Sequence, residues 1–282
     1  MQFVQIAGSN VRISRIGFGC ARLFAGVEAR DSRRLIETAL SVGIRHFDTA
    51  PAYGNSESIL GEVLAGVPDV TVATKVGIPH TVGAAHNPAR ILYRKVARPI
   101  FSRMPGAKAR LLKVFGRNRE GSDATDYLRL RRQLTHDVVM RSLEESLRRL
   151  KRSRLEVLLI HEPDQFEIDD KLSELFDTLK HDAIMGAFGL AYGRVADTAP
   201  QFGTVLQSCY SQNSSDDPET RRTRILHGVL RSGWHLRNSA GRGETAGDYI
   251  KAILQRRPNI AVIFSASSRQ QVRNVVGSSA GC

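Results

Sequence analysis

The chain has 282 residues, 41% of them hydrophobic and 24% charged, which reads as an ordinary soluble folded protein long enough for a large core. No apolar stretch approaches the roughly 20 residues that span a bilayer, and Met1 to Asn10 lacks the basic start and apolar run of a secretory leader, so the expected location is cytoplasmic. Cys20, Cys209 and Cys282 are too few and too far apart for a disulfide framework or a zinc-ligand spacing, and no metal is expected. The net charge of +13 is uneven. Residues 78–134 hold 13 Lys/Arg against Glu120, Asp123 and Asp126, leaving the rest near balance.

Eight short runs have strand character: Arg15 to Gly19, Arg45 to Thr49, Val70 to Val76, Glu156 to Glu162, Ala187 to Gly193, Thr204 to Tyr210, Arg224 to Leu230 and Ala261 to Ser267. Between most of them lie stretches with apolar residues three and four apart, such as Leu35, Ile36, Ala39, Leu40 and Leu143, Leu147, Leu150. The first of these helices is expected to start after Asp31 as N-cap and stop near Gly43. The second is expected to start after Thr135, with Glu144/Arg148 and Glu145/Arg149 as supporting pairs. Alternating strands and helices imply parallel pairing, because each return to the same edge needs a helical crossover. Eight units favour an α/β (β/α)8 TIM barrel forming one domain over residues 1–282. A doubly wound open sheet is the alternative, weakened because no GxGxxG follows any strand and because polar residues gather after strands, where such barrels place their sites.

Nearly 80 residues separate the third and fourth runs, and the excess coincides with the basic segment. Residues 78–134 therefore read as a long basic insertion after strand 3, broken at Pro99, Pro105 and Gly121 to Asp123. Three readings stand: a solvated loop, a lid favouring anionic substrates, or peripheral membrane contact through 89–117, where cations mix with bulky apolar residues. No nucleic-acid partner is expected, since no recognised binding module accompanies the charge. Oligomeric state is not read from the sequence.

Asp48 and Tyr53 in RHFDTAPAYG, Lys75 in VTVATKVG and His161 in EVLLIHEPD stand at the ends of three apolar runs. Each has an ordinary explanation alone, as a cap, a loop closure, a solvated cation or a satisfied strand-end histidine. Brought together, they would deliver a proton. A phenol with an ordinary pKa of about 10 is protonated but sluggish at neutral pH; a Lys75 ammonium nearby would lower that pKa, and Asp48 would keep Lys75 charged. His161 would orient a substrate oxygen. The matching reaction is carbonyl reduction, with hydride from a cofactor.

These segments resemble the aldo-keto reductase family. DTAPAYGNSESILGEVL is similar to that family's DTAxxYGxSExxLGxxL signature, TKVG to its lysine motif, and LLIHEPD to its histidine motif. The resemblance implies a (β/α)8 barrel using NADPH, with NADH as the other candidate, and a small-molecule carbonyl substrate; the expected reaction is reduction of an aldehyde or ketone, with a sugar-like compound or, from the basic insertion, an anionic one as the candidate substrates. It implies Tyr53 as general acid, Lys75 and Asp48 as its tuning pair and His161 as the carbonyl-positioning group. IFSASSRQQVRNVVG resembles the segment that binds the adenosine phosphate, giving Ser265, Ser267, Ser268, Arg269 and Gln271 as cofactor candidates. A helix start with hydroxyls and an arginine suits a phosphate. Gln207 matches the glutamine that holds the nicotinamide carboxamide. Ala191 and Tyr192 replace the family's Ser-Asn pair, and His227 replaces the stacking aromatic. A catalytically impaired nucleotide-binding or regulatory relative is therefore the alternative function.

Overall fold

A computed structural model describes residues 1–24, 29–80, 133–164, 168–196, 198–212, 222–231 and 245–277. The expected insertion lies outside the described residues over 81–132, as does its proposed membrane-contact stretch. A short antiparallel hairpin comes first, β1 (Phe3–Gln5) and β2 (Arg12–Ser14), with Gly8 turning at φ 62°. Eight parallel strands then close into a barrel: β3 (Ile16–Gly19), β4 (His46–Asp48), β5 (Thr71–Val76), β6 (Leu155–His161), β7 (Met185–Ala191), β8 (Val205–Cys209), β9 (Thr223–His227) and β10 (Ile260–Phe264), with β10 pairing back onto β3. All eight expected runs are strands, and the open-sheet alternative is excluded by the closure.

Two apolar clusters hold the barrel. The inner one joins Ala73, Val157, Leu159, Ala187, Val205, Ile225, Ala261 and Ile263 to Val4, Ile6, Val11 and Ile13 of the hairpin. The hairpin therefore plugs the end of the barrel opposite the strands' C-termini. It escaped the sequence reading because three-residue strands are too short to show alternation.

The outer cluster lies between strands and helices. Helices α1 (Ala29–Ser41), α2 (Ser56–Val63), α3 (His136–Leu150), α4 (Asp170–His181), α5 (Ala246–Arg256) and α6 (Arg269–Gly277) bury one stripe each against the barrel, with Leu35, Leu60, Leu143, Phe176, Ile250 and Val272 among the buried residues. Asp31 does not cap α1; it lies inside the first turn, where its carboxylate complements the helix dipole. Thr135 does cap α3, accepting from the Val138 amide. Of the two expected pairs on α3, Glu145/Arg149 forms at 2.7 Å, but Arg148 turns to Glu145 three residues away rather than to Glu144. Among the described residues no helix separates β7 from β8. Phe202 fills that place instead, packing its ring 5.0 Å from Phe176 and 5.1 Å from Phe188.

One buried carboxylate ties α2 to the barrel and to α3. Glu57, fully buried, accepts from the Thr74 hydroxyl at 2.7 Å and pairs with Arg149 at 3.4 Å. Removing it strands a buried hydroxyl and leaves a 15% exposed guanidinium with Glu145 alone. Glu57→Ala is expected to cost about 2 kcal/mol, read as a lower urea midpoint with an unchanged slope.

Candidate active site

The strands' C-terminal ends open on a cleft of about 830 Å³, lined by residues from β3, β4, β5, β6, β7, β8, β9 and β10 or the loops directly after them. Asp48 is the last residue of β4. The chain then makes one tight turn, Pro51–Tyr53, with proline presetting its first residue and Gly54 leaving it at φ 58°. That turn brings Tyr53 back over the barrel. Lys75 lies one residue before the end of β5, and His161 ends β6.

The four residues meet. Lys75, 1% exposed, donates to Asp48 Oδ1 at 2.7 Å and to the Thr49 carbonyl at 2.8 Å, and its Nζ stands 5.1 Å from the centre of the Tyr53 ring. The Tyr53 and His161 rings meet edge to face at 5.8 Å. Burial alone would lower the Lys75 pKa, but Asp48 and Tyr53 outweigh it and hold the ammonium's pKa above its ordinary value. Tyr53 departs from the expectation. Burial pushes its pKa above the ordinary phenol value, and the charge and hydrogen bond of Lys75 only partly offset that rise. Removing a phenolate from water costs more here than one neighbouring ammonium returns, since Asp48 and Glu162 oppose the phenolate as well.

Gln207 and His227 face the same cleft from β8 and β9. Gln207 is 4% exposed, and its Oε1 is buried without a hydrogen-bond partner among the described residues. An orphaned buried acceptor is costly, and an amide N–H donor would satisfy it. His227 donates from Nε2 to the Tyr192 carbonyl at 2.7 Å. Burial lowers its pKa, so the imidazole stays neutral at neutral pH. Ala191 and Tyr192, both buried, line the wall beside them.

The last group of candidates divides. Ser265 and Gln271 line the cleft, while Ser267, Ser268 and Arg269 lie exposed at the start of α6 and do not. Ser265 donates to the Gly19 carbonyl at 2.8 Å, fixing the end of β10 to the end of β3. Ser268 Oγ accepts from the Gln271 amide at 3.2 Å, and Gln271 Oε1 accepts in return from the Ser267 amide at 2.8 Å. Together these bonds satisfy two amides at the helix start. The serines and Gln271 thus have structural work apart from any ligand.

Glu162, Arg231 and Thr245 also line the cleft and were not singled out from the sequence. Glu162 lies inside the LLIHEPD motif, yet nothing in HEPD announces that its backbone takes φ 53° and turns the carboxylate onto the Gly193 amide. Arg231 and Thr245 follow β9 and precede α5, where no periodicity marks them. Among the described residues no cluster suited to a metal ion occurs, and no helix is long and apolar enough to cross a membrane.

The Aldo/keto reductase family model matches residues 15–100, the stretch that carries Asp48, Tyr53 and Lys75. A D-threo-aldose 1-dehydrogenase from a Pseudomonas species is 28% identical over 182 residues, 62% of this chain and 47% of that protein. A 6-dehydroglucose reductase from Novosphingobium aromaticivorans is 37% identical over 89 residues, 27% of this chain and 29% of that protein. The chain thus spans less than half the length of these relatives. Among solved structures, the holo form of an aldo-keto reductase from Bacillus halodurans superimposes with a TM-score of 0.69 over 100% of this chain and 92% of its own, at 19% identity, which speaks for the fold. With the closed barrel and the signature residues at its open end, the chain is similar to the aldo/keto reductase family over residues 15–100.

Proposed function

We propose that the protein is an oxidoreductase that reduces an aldehyde or ketone to an alcohol with NADPH, or with NADH in its place. The observation that carries this reading is the buried Asp48–Lys75 ion pair set beneath the ring of Tyr53 at the floor of the cleft. A reduced nicotinamide dinucleotide bound there would supply the hydride. Tyr53 gives its phenolic proton to the alkoxide oxygen as the carbonyl carbon is reduced. Lys75 stabilises the phenolate left behind, and Asp48 keeps Lys75 charged and aimed. His161, edge-on to Tyr53, hydrogen-bonds the carbonyl oxygen and fixes its approach.

The residues present fit the cofactor best at its nicotinamide end, where the orphaned Gln207 Oε1 suits the carboxamide N–H and His227 offers a neutral ring. Ser265 and Gln271 would border the adenosine end, with Arg269 supplying positive charge for a phosphate from the exposed start of α6. A sugar-like substrate is favoured, in keeping with the names of the aldose and dehydroglucose relatives.

Gln207→Leu separates binding from folding. It removes an unsatisfied buried acceptor, so the protein alone should unfold at higher urea, while its dissociation constant for NADPH, followed by fluorescence titration, should rise about tenfold. Unchanged NADPH affinity would remove Gln207 from the cofactor site. The reaction itself is tested by loss of reduced-nicotinamide absorbance with a panel of aldehydes and ketones; no consumption with any of them would leave only the nucleotide-binding reading.

A further inference from the structure

We infer that His227 distinguishes the oxidised cofactor from the reduced one: its imidazole, fixed in one tautomer on the cleft wall, binds the cationic nicotinamide ring well only while it is itself uncharged. This rests on the reductase reading above and goes beyond it to how the two redox forms are told apart.

The place of His227 carries the inference. In the closed sheet β8 lies opposite β4, and β9 lies opposite β5. Gln207 on β8 is therefore across the cleft from the strand that ends at Asp48 and leads to Tyr53, and His227, last in β9, is across from the strand that holds Lys75. Both line the cleft, and His227 is near enough to feel the charges of Asp48 and Lys75. Hydride has to reach a carbonyl carbon whose oxygen sits between Tyr53 and His161. The nicotinamide that gives it must then lie between those residues and the wall formed by Gln207 and His227.

A hydrogen bond fixes the ring. His227 Nε2 lies 2.7 Å from the Tyr192 carbonyl, which can only accept, so the proton of the neutral imidazole is on Nε2 and Nδ1 keeps the lone pair. The bond passes over β8 and ties the end of β9 to the end of β7. Burial holds the ring uncharged at neutral pH. A second proton can enter only at Nδ1, and it brings a full positive charge. An oxidised nicotinamide ring is positive and a reduced one is neutral, so the imidazolium repels only the oxidised form. By linkage, acid weakens the binding of NADP+ and leaves that of NADPH nearly unchanged.

The surrounding charges do not cancel this effect. Asp48 favours the second proton, while Lys75 and Arg231, which follows β9, oppose it. On the two neighbouring strands Cys209 and Ile263 stand level with His227, and beyond them Tyr192 has the Arg194 guanidinium 5.2 Å from its ring centre. His161 is the other imidazole lining the cleft among the described residues.

The measurement is the ratio of the dissociation constants for NADP+ and NADPH, taken by fluorescence titration at about pH 7.5 and about pH 5. Groups on the rest of the dinucleotide titrate alike in both forms and drop out of the ratio. In the wild type the ratio should rise about fivefold in acid. His227→Gln, whose amide keeps a donor for the Tyr192 carbonyl and gains no proton, should hold it constant within about twofold, as should His227→Phe, a flat ring with no basic nitrogen. A wild-type ratio that does not move overturns the inference with the reductase reading intact. Variants whose ratio rises as the wild type's does overturn it too, and assign the effect to another group such as His161. Wild-type protein that binds neither form at about pH 7.5 overturns both readings.

Discussion

Tyr53→Phe is expected to lower kcat by about 10²- to 10⁴-fold, the usual contribution of a positioned general acid, while NADPH still binds. The substitution keeps the ring that meets His161 at 5.8 Å and removes only the hydroxyl, so a loss of turnover would not follow from a loss of packing. Steady-state reduction assays and an NADPH titration on the same preparations separate the two effects. A variant with unimpaired kcat would remove Tyr53 as the proton donor. The pH dependence has a definite sign. Burial raises the Tyr53 pKa despite Lys75, so the phenol is fully protonated through neutral pH and the rate should fall only in alkali. Stability follows the same direction. The folded protein holds the Tyr53 proton more tightly than the unfolded chain, a contribution complete below the ordinary phenol pKa of about 10 and lost as pH rises through the higher folded value. Lys75 behaves alike for another reason. Burial opposes its charge, but Asp48 and Tyr53 raise its pKa, so the stabilisation from that ion pair is present below the ordinary lysine value and disappears as pH climbs past the folded one.

Gly189→Ala should damage the fold more than any surface change. Gly189 pairs with Val205 where β7 meets β8, and a Cβ at this position would lie 1.8 Å from the Val205 carbonyl oxygen. That neighbour is backbone in a hydrogen-bonded strand of a closed sheet, so it cannot swing aside as a side-chain end would. Relief requires β7 and β8 to separate, and Gln207 lies two residues beyond Val205 on the strand that would move. Overpacking of this kind costs about 3 kcal/mol or more. The urea midpoint should drop accordingly, and NADPH affinity should fall with it. An alanine variant as stable as the parent would mean that the two strands close differently from the arrangement described.

Asp48, Tyr53, Lys75 and His161 were legible in the sequence because strand ends are marked twice: by an apolar run that stops and by a polar residue that the run would otherwise exclude. The eight strands were legible for the same reason, since buried parallel strands are nearly continuous in Val, Ile, Leu and Ala. The amino-acid sequence by itself determined a parallel α/β fold and the identity of its four candidate chemical groups, and it favoured the barrel that the pairing of β10 with β3 then closed. The tertiary structure decided what local pattern does not encode. The hairpin plug depends on Val4, Ile6, Val11 and Ile13 meeting barrel residues more than 50 positions away. The net rise in the Tyr53 pKa depends on how much water the cleft floor excludes, and a single neighbouring charge does not predict that balance. Arg148 chose Glu145 over Glu144 by its turn around α3, and Glu162 entered the cleft through one left-handed residue. Burial, electrostatic balance and backbone handedness are properties of residues far apart in the chain brought together, and they exist only once the barrel has closed.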